Sequence, residues 1–392
     1  MHIRRFVSWA VTVAGLVLVS VNAQADPIVV NCDQGQSLNR ALARINKATP
    51  ATVLVNGTCT EYVRIRGLDG LTLKGSEGAT LLQPSAVPGN GLAIHVLSID
   101  ASRSITVSGL AVRSLSTGLA GIEIGQNSQD VRIRNLTIDG EAAFGIIVIE
   151  SSQVSLARVK VRDPGFATVG VYDVSDVHIE DCLFAQSTGA GWHEGLAVGS
   201  GHVTIQRTTI RNMQVGFDIT KSGSIDVQSF NSYYPVSEPT DVIIESPAGT
   251  TFWGVFVGSG SLLNIGDTKL RITNPAQSWG WNTAGVWVSG GTLDAGPNLV
   301  VSGSQGQGVL VSGNSHARLA GSSITGSAHG GLVAVNLSTI AVETSNPLTQ
   351  ISGNGTDLFC DSKSLINGST NVANATTVQC GNLLPGDYEN LP

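Results

Sequence analysis

One short stretch of the chain carries the residue types for acid–base chemistry. Residues 187–205 read STGAGWHEGLAVGSGHVTI, which sets His193 and Glu194 directly ahead of a glycine-rich apolar run. Tyr172 and Asp173 lie in the preceding GVYDV, and Asp218 and Lys221 in the following GFDITK. Titratable groups on neighbouring segments are what acid–base chemistry on a glycosidic bond requires. In that reading Glu194 is the acid or base, Asp218 or Asp173 its partner, and His193 a proton carrier or orienting group. Carboxylates outnumber bases in the set, which favours hydrolysis over elimination. Elimination or epimerisation would instead use His193 and Tyr172 as base and acid, with Lys221 neutralising a uronate. The same residues also fit the decorated edge of a repeat that does no chemistry.

Aromatic residues point to the same region. Half of the Phe, Trp and Tyr residues after position 25 fall between 230 and 287, among them Tyr233, Trp253, Trp281 and Trp287. Trp and Tyr faces stack on sugar rings while their polar edges stay wet. Trp253, Trp287, Trp281 and Tyr233, with Lys221, are therefore the candidate substrate-binding residues. Packing of long loops onto the body of the protein is the competing explanation for this aromatic density. Those loops are expected to wall one side of a groove above His193, Glu194 and Asp218.

What positions these residues is a repeat. Nine stretches of the form Gly–apolar–x–apolar begin at Gly121, Gly145, Gly170, Gly195, Gly216, Gly254, Gly285, Gly308 and Gly331. Each is followed by a small polar turn and a second alternating segment, as in VRIRNLTI and VHIEDCLF. Alternation of period two predicts strands with one buried face. Units of about 24 residues cannot bury that face alone, but stacked coils can. The expected fold is all-β, a parallel β-helix rising about 4.8 Å per coil. Glu194 and Asp218 then fall one coil apart and three residues out of step, about 11 Å between Cα atoms. That leaves their side chains room for the spacing of an inverting acid–base pair.

The second segments align Leu136, Val159, Cys182, Thr208 and Phe230 in one inward column, so Cys182 is expected to be a buried core residue. The neighbouring column of Asn135, Arg158, Asp181, Arg207 and Ser229 reads as a solvated ladder of weak ion pairs.

The ends of the chain have their own signals. Residues 1–25 combine Arg4 and Arg5, an apolar run and Ala23-Gln24-Ala25, which predicts a secretory signal peptide. Its removal takes two arginines and no acid, moving the net charge from −7 to −9. The expected location is therefore secreted, extracellular or periplasmic. The chain lacks the basic patch of a nucleic-acid binder, and no later stretch is apolar and long enough to span a bilayer. In an oxidising compartment Cys32 with Cys59, and Cys360 with Cys380, are expected to close local loops. Residues 26–60 should form an N-terminal cap with first strands, 61–355 the β-helix, and 356–392 a C-terminal cap and tail. Within the first cap, Leu38, Leu42 and Ile45 have helical spacing over 36–46. No cofactor is implied and no metal site is assigned, calcium being left open. The expected partner is a polysaccharide or surface glycan, and the expected state is a monomer.

This organisation resembles the right-handed parallel β-helix, or pectin-lyase-like, superfamily over residues 50–355. The resemblance implies the fold but not a chemistry, because lyases, hydrolases, epimerases and adhesins share it. The Asn-Thr-Asp, Asp-Asp, Gly-His-Gly and Arg-Ile-Lys signatures of polygalacturonases are missing. Alginate epimerases carry Asp-Pro-His-Glu where this chain has Gly191-Trp192-His193-Glu194, so only the His-Glu pair is kept. The acidic calcium cluster of pectate lyases has no counterpart. A carbohydrate-binding or carbohydrate-processing protein, a hydrolase in particular, is the leading expectation. A non-enzymatic structural or adhesive β-helix, and a polysaccharide lyase or uronate epimerase, are the alternatives.

Overall fold

The computed structural model describes residues 26–47, 49–85, 95–115, 118–187, 191–229, 241–246, 252–273 and 283–380. The candidate residues Tyr233 and Trp281, the long loops that carry them and the signal segment lie outside the described residues.

Each coil contributes one strand to each of three parallel sheets of 14, 13 and 13 strands. The first sheet runs from Ile28–Asn31 to Leu365–Asn367, the second from Thr58–Thr60 to Val372–Ala373 and the third from Val63–Arg66 to Val378–Cys380. The Gly–apolar strands, and with them the candidate site, make up the third sheet. Every strand has the same neighbour one coil before and one coil after, so the core is a single column of stacked Val, Ile and Leu. Phe184 and Phe217 are the largest side chains wholly enclosed in it.

The recurring glycine has a steric cause. A Cβ on Gly254 would lie 2.4 Å from Ile272 Cγ2 and 2.6 Å from the carbonyl oxygen of Gly285 on the next coil. Gly195, Gly216, Gly285, Gly308 and Gly331 face the same pair of obstacles, an Ile or Val branch of the second sheet and the next coil's carbonyl. At this corner the inward position is filled by neighbouring backbone, and only a hydrogen fits. Gly254→Ala is accordingly expected to destabilise the protein by about 1–3 kcal/mol, the usual cost of overpacking. A denaturant midpoint equal to wild type would refute that account.

The corner column corrects one element of the sequence reading. The residue at this position between Gly145 and Gly195 is Thr168, not Gly170: a Cβ on Gly145 would meet the Thr168 carbonyl, and Gly170 instead pairs with Ile147 and Ala197. Thr168 is accommodated because its hydroxyl donates to the Gly195 carbonyl oxygen. Gly170 thus stands in the outward column, and Tyr172 lies one outward position further along its strand than the aligned glycines implied.

Other features follow the sequence closely. Leu136, Val159, Cys182 and Thr208 are all buried, while Phe230 is outside the described residues. Burial pushes the Cys182 thiol up to about 12, which leaves it un-ionised and unreactive. Asn135, Arg158, Asp181 and Arg207 all have φ between 45° and 54–55° and form the turn between the first two sheets. Arg158 donates to Asn135 at 2.7 Å and Arg207 to Asp181 at 2.7 Å, coil to coil. Both cysteine pairs, Cys32–Cys59 and Cys360–Cys380, are disulfides. Strand pairing runs on through the second of them, Cys360 lying in register with Cys380.

The N-terminal helix is shorter than its spacing predicts. It spans Leu38–Leu42, after a single tight turn at Cys32–Gln34. Glu61 holds its first turn, accepting from Leu38 N at 2.6 Å and from Ser37 Oγ at 2.9 Å. Beyond Leu42 the bonds tighten to Arg44 N→Ala41 O and Ile45 N→Leu42 O, so Ile45 packs on the core from a turn.

Candidate active site

The outer face of the third sheet carries the site. Successive strands Ala167–Tyr172, Glu194–Gly199 and Val215–Thr220 stack in parallel. Ala197 pairs with Asp218, whereas Glu194 pairs with Val215, so the two carboxylates are three residues out of step on adjacent strands. Their side chains approach across that offset closely enough for each carboxyl to shift the titration of the other.

The environment makes this pair share a proton. Glu194 is 3% exposed, and burial is the main reason its carboxyl is pushed up to about 7. The Trp192 indole opposes the shift by donating Nε1–H to Glu194 Oε1 at 2.9 Å, and the neighbouring Asp218 adds to it. Asp218 is likewise raised by burial, with the hydrogen bond to Glu194 pulling the other way. Its Oδ1 is buried without a hydrogen-bond partner. Two like charges this close cannot both ionise cheaply, so near neutral pH one proton serves both groups.

Tyr172 faces the pair. Burial, then the charges of Glu194 and Asp218, raise its phenol well above the ordinary value, so it remains a neutral donor. It pairs in register with Gly199, and a Cβ there would lie 2.8 Å from the Tyr172 ring and 3.9 Å from Lys221 Cδ. Lys221 therefore reaches back over Gly199 to the edge of the tyrosine, although its own backbone is in the turn beyond the strand, at φ 50°. Asp173 is exposed in the turn after its strand, at φ 54°. Of the two candidate partners, Asp218 is the one that shifts Glu194.

His193 is half-buried one residue before Glu194. Its backbone is clamped to the next coil, with His193 N donating to Gln214 Oε1 at 2.8 Å and Gln214 N to His193 O at 2.9 Å. Its ring lies over Gly191, whose φ of 96° and missing Cβ make room for the imidazole.

An aromatic strip leads away from the pair. Trp192 stacks on Phe252 with centroids 6.2 Å apart and meets Trp253 edge-on at 5.6 Å. Trp253 touches Trp287 at 5.0 Å, and Phe256 touches both Trp253 and Trp287 at 5.2 Å. Trp192, 44% exposed, forms its open end. On the other side Phe144 meets Phe166 and Tyr172 edge-on. The role of Trp192 was missed in the sequence, although its place two residues before Glu194 was visible. The contributions of Phe252, Phe256 and Gln214 depend on coil-to-coil register.

The three stacked parallel sheets define a right-handed parallel β-helix. The family profile described as "Right handed beta helix region" matches residues 70–232. No curated protein matches the chain. Among solved structures, the catalytic unit of a thermostable GH87 alpha-1,3-glucanase from Streptomyces thermodiastaticus strain HF3-3 is similar at 14% identity, over 90% of this chain and 70% of that one, with a TM-score of 0.50. The alginate lyase from Paenibacillus sp. str. FPU-7 is 15% identical over 76% of this chain and 94% of its own, with a TM-score of 0.42. PfbA, a surface adhesin of Streptococcus pneumoniae, is 13% identical over 90% and 92%, with a TM-score of 0.40. Likeness at these identities shows the fold alone. Among the described residues no helix is long and apolar enough to cross a membrane.

Proposed function

We propose that this protein processes a polysaccharide, hydrolysing a glycosidic bond on the outer face of the third sheet. The observation that carries the reading is the neighbouring pair of Glu194, buried, and Asp218 on adjacent strands at the end of an aromatic strip. Glu194, protonated near neutral pH, is the general acid that gives its proton to the leaving glycosidic oxygen. Asp218 is the ionised partner beside the positive charge that develops on the sugar ring as the bond breaks. A water then adds to that ring carbon, and its released proton returns to the carboxyl pair. Trp192 donates a hydrogen bond to Glu194 and the neutral Tyr172 phenol flanks the pair, while Trp253 and Trp287 stack on flanking sugars. A glycan substrate accords with the shared fold of the alpha-1,3-glucanase. The disulfides accord with a non-cytoplasmic site of action.

The test is incubation with neutral and acidic polysaccharides while reducing ends and the ultraviolet signal of unsaturated uronates are both followed. New reducing ends without that signal support hydrolysis, and the signal itself would point to elimination. Silence in both channels from folded protein would leave a binding surface. Lys221 separates substrate classes, because its side chain passes beside Gly199 next to the Tyr172 ring. If acidic sugars are the substrate, Lys221→Met should raise KM for them about tenfold, the loss of one charge-assisted contact. With neutral sugars KM should be unchanged.

A further inference from the structure

We propose that the third sheet carries a second, separate binding site, a cavity around Gln307, His329 and Thr356 that takes an uncharged sugar residue. Its volume is about 220 Å³, far above the ~10–15 Å³ that one water requires. Its lining includes the buried Gln307 and Val333, the half-buried Phe359, and the exposed His329 and Gln379. Among the described residues no Asp, Glu, Lys or Arg lines it.

Gln307 is the observation that points to a ligand. It is 0% exposed, yet neither its Oε1 nor its Nε2 has a hydrogen-bond partner. An amide buried in this state costs about 1–3 kcal/mol, and protein interiors rarely leave one so. A primary amide offers two donors and an acceptor in one plane, a match for neighbouring sugar hydroxyls or an N-acetyl group. Gly330 borders that buried amide, and a Cβ there would press on it, lying 2.5 Å from Gln307 Oε1 and 2.3 Å from Val333 Cγ2. Phe359 adds apolar surface to the lining, and the lack of Lys and Arg among the described lining residues disfavours uronates and phosphates.

The position fits one continuous ligand. Strand Gln307–Ser312 lies three strands beyond Val215–Thr220 in the same sheet, with Trp253–Val257 and Ala284–Ser289 between. Three strand spacings place Gln307, the near edge of the cavity, about 14 Å from the strand of Asp218, and the rest of the lining lies on the strands beyond it. Trp287 packs against the Leu310 and Val333 patch, as Phe359 does. A glycan lying across the coils thus passes from the pair over Trp253 and Trp287 into the cavity. The sugar identity of the ligand rests on the proposed function, whereas the preference for an uncharged polar group rests on the lining alone.

Calorimetric titration of the whole protein with α-1,3-, β-1,3- and β-1,4-linked gluco-oligosaccharides, and with oligouronates for contrast, tests the site. Gln307→Met should weaken binding of the neutral oligosaccharides about tenfold or more. It should also leave the melting temperature equal or higher, since it removes an unsatisfied amide. Gly330→Ala should weaken binding as well, by crowding the Gln307 amide. The site is refuted if no neutral oligosaccharide binds the wild type, in which case the cavity holds water only. It is refuted too if affinity is indifferent to Gln307→Met and Gly330→Ala. Should Gln307→Met fail to fold, Thr356→Val gives the same reading elsewhere in the lining. Cleavage that depends on Glu194, with binding indifferent to Gln307, would remove the cavity and keep the hydrolase. Binding that depends on Gln307 in a protein that cleaves nothing would do the reverse.

Discussion

Glu194→Gln should lower the rate of glycan cleavage about 10³-fold, within the 10²–10⁴ that a positioned general acid supplies. The amide keeps the shape of the side chain, can still accept from Trp192 and can donate to Asp218, so the fold and the aromatic strip are untouched. What it loses is the proton that the leaving oxygen must receive. The pH profile of the wild type follows from the same group. Glu194 must be protonated, and its carboxyl is pushed up to about 7, so kcat should fall as pH rises through that value. At the acid end activity should fall again once Asp218 is protonated as well, and both limbs belong to the pair rather than to either residue. A variant that keeps more than a tenth of wild-type activity would remove Glu194 from the role of acid. Loss of activity together with a collapsed melting temperature would instead assign Glu194 to structure, and Asp218→Asn would then have to be read alone.

Much of this site was legible in the sequence because strand periodicity is a one-dimensional signal. The glycines at 195 and 216 set the coil, and the coil places Glu194 and Asp218 on adjacent strands three residues out of step. What periodicity does not carry is side-chain reach. Nothing in the spacing distinguishes two carboxyls with room for a water between them from two close enough to shift each other's titration, since both start from the same backbone offset. The Gly170 alignment failed for a related reason. The corner position demands a small residue that clears the next coil's carbonyl, and Thr168 meets that demand by bonding to it. A glycine two residues later then mimics the pattern while standing on the opposite face. Gln307 left no trace in the sequence, because an amide is conspicuous only once its surroundings are seen to lack partners.

The carboxyl pair also makes a prediction that needs no substrate. A carboxyl whose pKa is raised by folding contributes stability below its unfolded value, and loses it as pH rises through the folded one. For Glu194 that window runs from the ordinary 4.5 to about 7. Within it the unfolded chain ionises while the folded chain stays protonated, so wild-type stability declines by roughly 3 kcal/mol and levels off above pH 7. Asp218 is raised too and acts in the same direction. Glu194→Gln removes the larger titration, so its stability relative to wild type should climb between pH 4.5 and 7 and remain high at pH 8. Melting temperatures of the two proteins across that range decide the matter. Parallel curves would mean that Glu194 ionises in the folded protein as easily as in water. The pair would then not be the desolvated, proton-sharing unit on which the acid role depends. A diverging pair of curves with no cleavage of any glycan would preserve the electrostatics and leave the outer face a binding surface, because burial that strains a carboxylate is necessary for this catalysis without being sufficient for it.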